Sequence, residues 1–243
     1  MTANTVLSVR SLRVAFGPRV VIQDLSFDVE MGDNLAIIGP NGSGKTVLLK
    51  VLLGLVPHAG NILWSPAVRI GYVPQRISAD RQIPMEVRDL LMAKARVIGL
   101  NERSVDSVCE TVGIPPEVLK TGIGRISGGQ LQKALIAFAL LGDPTVLLFD
   151  EPTASLDELA EEQVYELLEH LQAERVLTIL LVSHDLSVVF RSANKVLCLS
   201  KGNPCFGAPK EILTPDTLQA IYAAPPMFFQ HLHNHQRTTS WPP

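Results

Sequence analysis

Eight consecutive residues constrain this chain more than any others: Gly39-Pro40-Asn41-Gly42-Ser43-Gly44-Lys45-Thr46. They fit the pattern G-x-x-x-x-G-K-[ST]. The apolar run Leu35–Ile38 leads into the first glycine, and Val47–Leu55 follows with helical spacing. Buried strand, tight turn and helix are therefore predicted as one unit. Glycines let the backbone turn so that successive N–H groups face one hollow, and the following helix adds the positive end of its dipole. Such a hollow suits phosphate. Lys45 is expected to reach the β- and γ-phosphates of a nucleotide, and the Thr46 hydroxyl to bind Mg²⁺. ATP and Mg²⁺ are the cofactors expected from this loop.

The flanking sequence supplies a sheet to carry the loop. Residues 5–30 alternate apolar and polar side chains, as in Leu7 and Val9 against Val6, Ser8 and Arg10, and again over Leu25–Val29. Period-two alternation predicts antiparallel strands with one wet face. Short apolar runs at Val68–Val73, Val146–Phe149, Thr178–Val182 and Val196–Ser200 read as further strands, the last of them closing the series. A helix is expected at about 158–173. Strands alternating with helices predict an α/β fold with a mostly parallel sheet. Residues 84–142 carry amphipathic helical stretches and few strand signals, so they read as an α-helical insertion into a core formed by 5–83 and 143–223. The tail 224–243 is polar and is expected to lie outside the packed domain.

Composition narrows the function. The net charge is −3, and no basic block exceeds two residues, so no nucleic-acid partner is expected. The longest apolar runs, Ala134–Leu141 and Leu177–Val182, fall well short of a membrane span, and Met1–Arg10 lacks the form of a secretory leader. The three cysteines, Cys109, Cys198 and Cys205, are widely spaced without a CxxC pair. They are expected to be reduced, buried thiols, with no disulfide and no thiolate zinc site.

A second motif completes the chemistry. Val146-Leu147-Leu148-Phe149 runs directly into Asp150-Glu151. In open parallel sheets, ligands sit beyond the carboxyl ends of the strands. Asp150 is therefore expected to hold Mg²⁺, and Glu151 to act as general base on a water attacking the γ-phosphate in line.

Between these motifs lies Ile126-Ser127-Gly128-Gly129-Gln130, which resembles the LSGGQ signature of ABC-type ATPases, with Ile in place of Leu. Gln75, in Tyr72-Val73-Pro74-Gln75, matches the family's Q-loop. Ser155-Leu156-Asp157 matches the D-loop, and His184, in Val182-Ser183-His184-Asp185, matches the switch histidine. Phe16 stands where the family has an aromatic that stacks on adenine. The resemblance covers residues 5 to about 223. It implies a P-loop NTPase core with an N-terminal antiparallel β-subdomain and an inserted α-helical subdomain. It also implies that Ser127, Gly128, Gly129 and Gln130 open a helix through Leu141 and cap a nucleotide held by a second ATPase subunit. Asp157 would join that interface, His184 would contact the γ-phosphate, and Gln75 would reach Mg²⁺ and the attacking water. Lys133 and Phe138 stand where the family often carries Arg, departures that could lower the rate.

With one phosphate loop, the chain is similar to a separate importer subunit: a homodimer on the cytoplasmic face, driving a polytopic permease fed by an external solute-binding protein. Ile70–Arg76 with Asp80, Arg81 and Pro84, and Leu213–Tyr222, look like the matching stretches of manganese, zinc and iron importer ATPases. The expected cargo is a divalent transition metal, Zn²⁺ or Mn²⁺. His231, His233 and His235 alternate, which in an extended chain puts three imidazoles on one face, a donor set that suits Zn²⁺. Three other readings are open at this stage: an importer subunit for another solute, a soluble ABC ATPase without a permease, as in iron–sulfur assembly, and a non-enzymatic nucleotide switch or metal-binding module.

Overall fold

The computed structural model describes residues 4–75, 84–152, 156–200 and 204–222. In chain order the elements are β1 (Thr5–Phe16), β2 (Arg19–Glu30), β3 (Asn34–Ile38), α1 (Lys45–Leu52), β4 (Ala59–Trp64) and β5 (Ile70–Val73). The helical insertion follows: α2 (Val87–Val97), α3 (Glu102–Val112), α4 (Pro116–Leu119), a 3₁₀ turn at Ile123–Arg125, and α5 (Gly128–Leu140). The chain then returns to the core with β6 (Val146–Asp150), α6 (Glu158–Glu174), β7 (Thr178–Val182), α7 (Leu186–Ser192), β8 (Lys195–Cys198), β9 (Cys205–Gly207), α8 (Pro209–Ile212) and α9 (Pro215–Tyr222).

Two sheets carry the fold. An antiparallel sheet has the order β2-β1-β4, and a larger one has the order β5-β6-β7-β3-β8-β9. In the larger sheet every pairing is parallel except β8 with β9. β3, β6 and β7 are buried at every position, as strands covered on both faces must be. Leu35, Ile37, Leu148 and Val182 pack toward the antiparallel sheet and α1, whereas Phe149, Leu147 and Leu181 pack with the insertion. The two faces of one sheet thus serve two apolar cores.

The parallel register is what assembles a site. Val73 pairs with Phe149, Asp150 with Val182, and Val182 with Ile37. Gln75, Glu151, Ser183 and Gly39 therefore leave their strands along one edge of the sheet. Gly39 itself is fixed by contact. Its φ is +149°, and a Cβ there would lie 2.2 Å from the Leu199 carbonyl oxygen, so no larger residue fits where the loop begins.

The structure corrects four expectations. β4 and β9 were not foreseen, so the strand series does not end at β8. Val6 and Ser8 are buried rather than wet, because β1 is the central strand of its sheet. The phosphate-loop helix starts at Lys45 and ends at Leu52, earlier at both ends than its apolar spacing suggested, because Gly44 caps it in a left-handed conformation. The expectation of reduced thiols fails for Cys198 and Cys205, which form a disulfide, while Cys109 is free and buried. The reason is the antiparallel return of β9, which sets Cys205 directly opposite Cys198 with Cα atoms 4.9 Å apart.

Gly71 in β5 shows how tightly the insertion rests on the sheet. A Cβ there would lie 2.5 Å from Leu147 Cδ2 and 2.7 Å from the Ala139 carbonyl oxygen of α5. Gly71→Ala is expected to destabilise the chain by about 1–3 kcal/mol through overpacking. Chemical denaturation would report this as a lower midpoint at an unchanged slope.

Candidate functional site

The phosphate loop is shaped by its glycines, with Gly42 and Gly44 at φ +77° and +103°. The Ser43 amide donates to the Pro40 carbonyl, closing the turn at 3.1 Å. The first-turn amides of α1 have no acceptor within their own helix and so present donors, with the helix dipole behind them, to an anion. Lys45 is 6% exposed, and its Nζ donates to the Gly39 carbonyl at 2.9 Å. The ammonium is thus folded back over the loop, 3.6 Å from Glu151 Oε1.

Glu151 is aimed by its backbone. Its φ is +47°, a left-handed conformation uncommon outside glycine, adopted directly after the last residue of β6. The Glu151 amide remains tied to the Val182 carbonyl at 3.2 Å. The side chain turns toward the loop, where Oε2 accepts from Gln75 Nε2 at 2.6 Å. Gln75 and Glu151, just past β5 and β6, and Lys45 at the start of α1 therefore form one cluster.

Asp150 is 1% exposed and held on both oxygens. Oδ1 accepts from Thr46 Oγ1 at 2.9 Å, and Oδ2 accepts from Tyr72 Oη at 3.5 Å. Burial raises the Asp150 carboxyl above its usual range, against the Thr46 hydrogen bond, which favours the ionised form. Burial and the Asp150 charge push the Tyr72 phenol up to about 12. Thr46 and Asp150 are hard oxygen donors side by side, the chemistry that suits a small divalent cation.

These groups border a cleft of about 500 Å³, lined by Asn41, Gly42, Gly44–Val47, Gln75 and Glu151, with Phe16 half-exposed near its mouth beside Arg19 and Val21. Phe16 pairs with Arg19 across the β1–β2 turn. Phe16, most of the loop residues, Gln75 and Glu151 are thus brought together in one cleft. Pro40, Ser43 and Asp150 lie with them in the loop or directly beneath it.

The remaining motif residues stand apart. Ser127, Gly128, Gly129 and Gln130 line a separate cleft of about 380 Å³ with Lys133, Leu156 and Asp157. Ser127 caps α5: its Oγ accepts from the Gln130 amide at 3.2 Å, and Gln130 Oε1 accepts from the Ser127 amide at 2.9 Å. Asp157 caps α6, accepting from the Ala160 amide at 2.9 Å. His184 follows β7 with its side chain exposed. Ser155, Arg76, Asp80, Arg81, His231, His233 and His235 lie outside the described residues. Sequence reasoning missed Tyr72 and Arg19 as site residues. The signal for Tyr72 was a polar head within an otherwise apolar strand, three positions before Gln75.

Residues 22–154 match the family described as ABC transporter. The chain belongs to this family and is an ATP-binding and ATP-hydrolysing subunit that powers a membrane permease. It is 34% identical over 238 residues to the zinc import ATP-binding protein ZnuC of Yersinia enterocolitica, covering 96% of this chain and 93% of the relative. It is 37% identical over 223 residues to the ZnuC of Cereibacter sphaeroides, covering 90% and 88%. Among solved structures it resembles an inward-facing ABC transporter described as of metal-chelate type, with a TM-score of 0.83, 31% identity and 91% and 90% of the two chains covered.

The reciprocal cap gives the signature serine a structural duty within the single chain. Ser127→Ala is expected to cost about 1 kcal/mol of stability, the usual loss for an N-cap. Thermal unfolding of the purified chain without nucleotide would measure it.

Proposed function

We propose that this chain is the ATPase subunit of an importer for a divalent transition metal, zinc before manganese. The observation that carries the cargo is the near full-length similarity to proteins named for zinc import. The site supports a hydrolytic role. Lys45 and the first-turn amides of α1 bind the β- and γ-phosphates, and Phe16 stacks on the base. Thr46, Asp150 and Gln75 would hold Mg²⁺, which would supply charge neutralisation for the bound phosphates. Tyr72 steadies the second oxygen of Asp150. Glu151 takes the proton of the attacking water, with Gln75 fixing its carboxylate and His184 contacting the γ-phosphate.

The two clefts support a head-to-tail homodimer. Ser127–Gln130 and Asp157 lie in a different cleft from Lys45 of the same chain, so they serve a nucleotide held by a second copy. Among the described residues no helix is long and apolar enough to cross a membrane. On the importer reading, the subunit sits peripherally on the cytoplasmic face, against a polytopic permease that an external solute-binding protein supplies. The acidic net charge supports the absence of a nucleic-acid partner.

Glu151→Gln is expected to lower ATP turnover by about two to four orders of magnitude while ATP binding persists, because only the proton acceptor is lost. Single-turnover hydrolysis and equilibrium nucleotide binding separate the two, and near wild-type turnover would reject Glu151 as the base. For the cargo, cells lacking the chain are expected to take up less radioactive zinc and to recover on re-expression. Uptake by a variant lacking residues 231–243 would retain its rate but lose inhibition by intracellular zinc if His231, His233 and His235 sense the metal. Unchanged zinc uptake in the null strain would move the cargo elsewhere.

A further inference from the structure

Behind the phosphate loop lies a cross-link that hydrolysis does not use. Cys198 is fully buried at the end of β8, and Cys205 is half-buried at the start of β9. β8 runs beside β3, the strand that feeds the loop, with Cys198 paired to Ile38. The next residue, Leu199, donates its amide to the Ile38 carbonyl at 2.8 Å, and its own carbonyl packs directly against Gly39. Leu199 and Ser200, which follow Cys198, and Pro204, which precedes Cys205, line one cleft of about 560 Å³ with Ser43 of the loop. The Ser43 hydroxyl is buried with no hydrogen-bond partner among the described residues, so the loop on this side is held by packing. Cys198 and Cys205 also join the apolar cluster of Leu218, Ile221 and Tyr222 from α9. The disulfide thus fastens the wall on which the first loop residue rests.

We propose that Cys198–Cys205 is a thiol–disulfide exchange site whose state sets the affinity of the phosphate loop for nucleotide. The reductant is a dithiol. One of its thiolates attacks Sγ of Cys205, the less buried of the two residues. A mixed disulfide forms there, the bond to Cys198 breaks, and Cys198 Sγ leaves as a thiolate that takes a proton. The second dithiol sulfur then attacks its partner in the mixed disulfide and releases Cys205 as a thiol. Two electrons and two protons pass to the chain, and the dithiol becomes a disulfide. Without the cross-link β9 is a three-residue edge strand, too short to hold its register firmly. Leu199 is then less firmly seated on Gly39, and binding must order the loop as well as fill it. Cys109 is an internal control, since burial and the nearby Asp106 charge push its thiol up to about 11 and keep it unreactive.

The test uses the purified full chain, native thiol alkylation, and fluorescent ATP binding with Mg²⁺. In the oxidised chain no thiol is expected to label; dithiothreitol should expose one, Cys205, without unfolding, because Cys198 and Cys109 are buried. Reduction should weaken ATP binding by roughly fivefold, at the low end of coupling between sites, and reoxidation should restore it. Cys198→Ser and Cys205→Ser should each bind at the weaker level and ignore dithiothreitol, whereas Cys109→Ser should respond like the wild type. Equal affinity of the oxidised and reduced wild type, or a disulfide that opens only on unfolding, overturns the proposal. The wild-type comparison decides even if a serine variant fails to fold.

Discussion

Everything functional in this chain depends on the close approach of backbone to backbone at Gly39. The loop must leave β3 at an angle that faces its amides outward, and the Leu199 carbonyl leaves room only for hydrogen at that Cα. The Gly39 carbonyl then accepts the Lys45 ammonium, so the residue that starts the loop also anchors its only cation. Side-chain packing could not supply this, because a Cβ would displace the wall by more than an ångström. Glycine costs conformational entropy on folding, and the buried strand and helix on either side offset it.

The second constraint is the positive φ of Glu151. A strand that simply continued past Asp150 would alternate its side chains, placing Glu151 on the opposite face of the sheet from its neighbour. The left-handed backbone breaks that alternation. It lets adjacent carboxylates do different things: Asp150 is sunk beneath Thr46 and Tyr72, while Glu151 is partly exposed toward Lys45 and Gln75. A strained residue at a strand end, tolerated because β7 still holds its amide, is the kind of local rule-breaking found where function outweighs stability.

Much of this was legible in the sequence because it is written in short-range chemistry. The glycine loop, the apolar run into two acids, and the helical insertion each declare themselves within a few residues. What stayed hidden depends on pairing between distant segments. β4 has an exposed Ala-Gly-Asn start and no apolar alternation, so only β1 beside it makes it a strand. β9 is three half-buried residues that pair with β8. The disulfide follows from that register and from nothing in the spacing of the cysteines. Tyr72 was hidden for the same reason, since its partner Asp150 is set by the parallel register of β5 with β6.

The signature stretch shows how a single motif can be finished in one respect and open in another. Ser127 and Gln130 satisfy each other's amides, so the start of α5 is ordered without any partner. Gly71 lets the backbone of α5 rest directly on β5, which fixes the direction in which that helix start points. Order of this kind lowers the entropy lost on association, because the docking surface does not have to form as it binds. In the proposed dimer, the variable left for ATP to control is then the separation of two preformed halves.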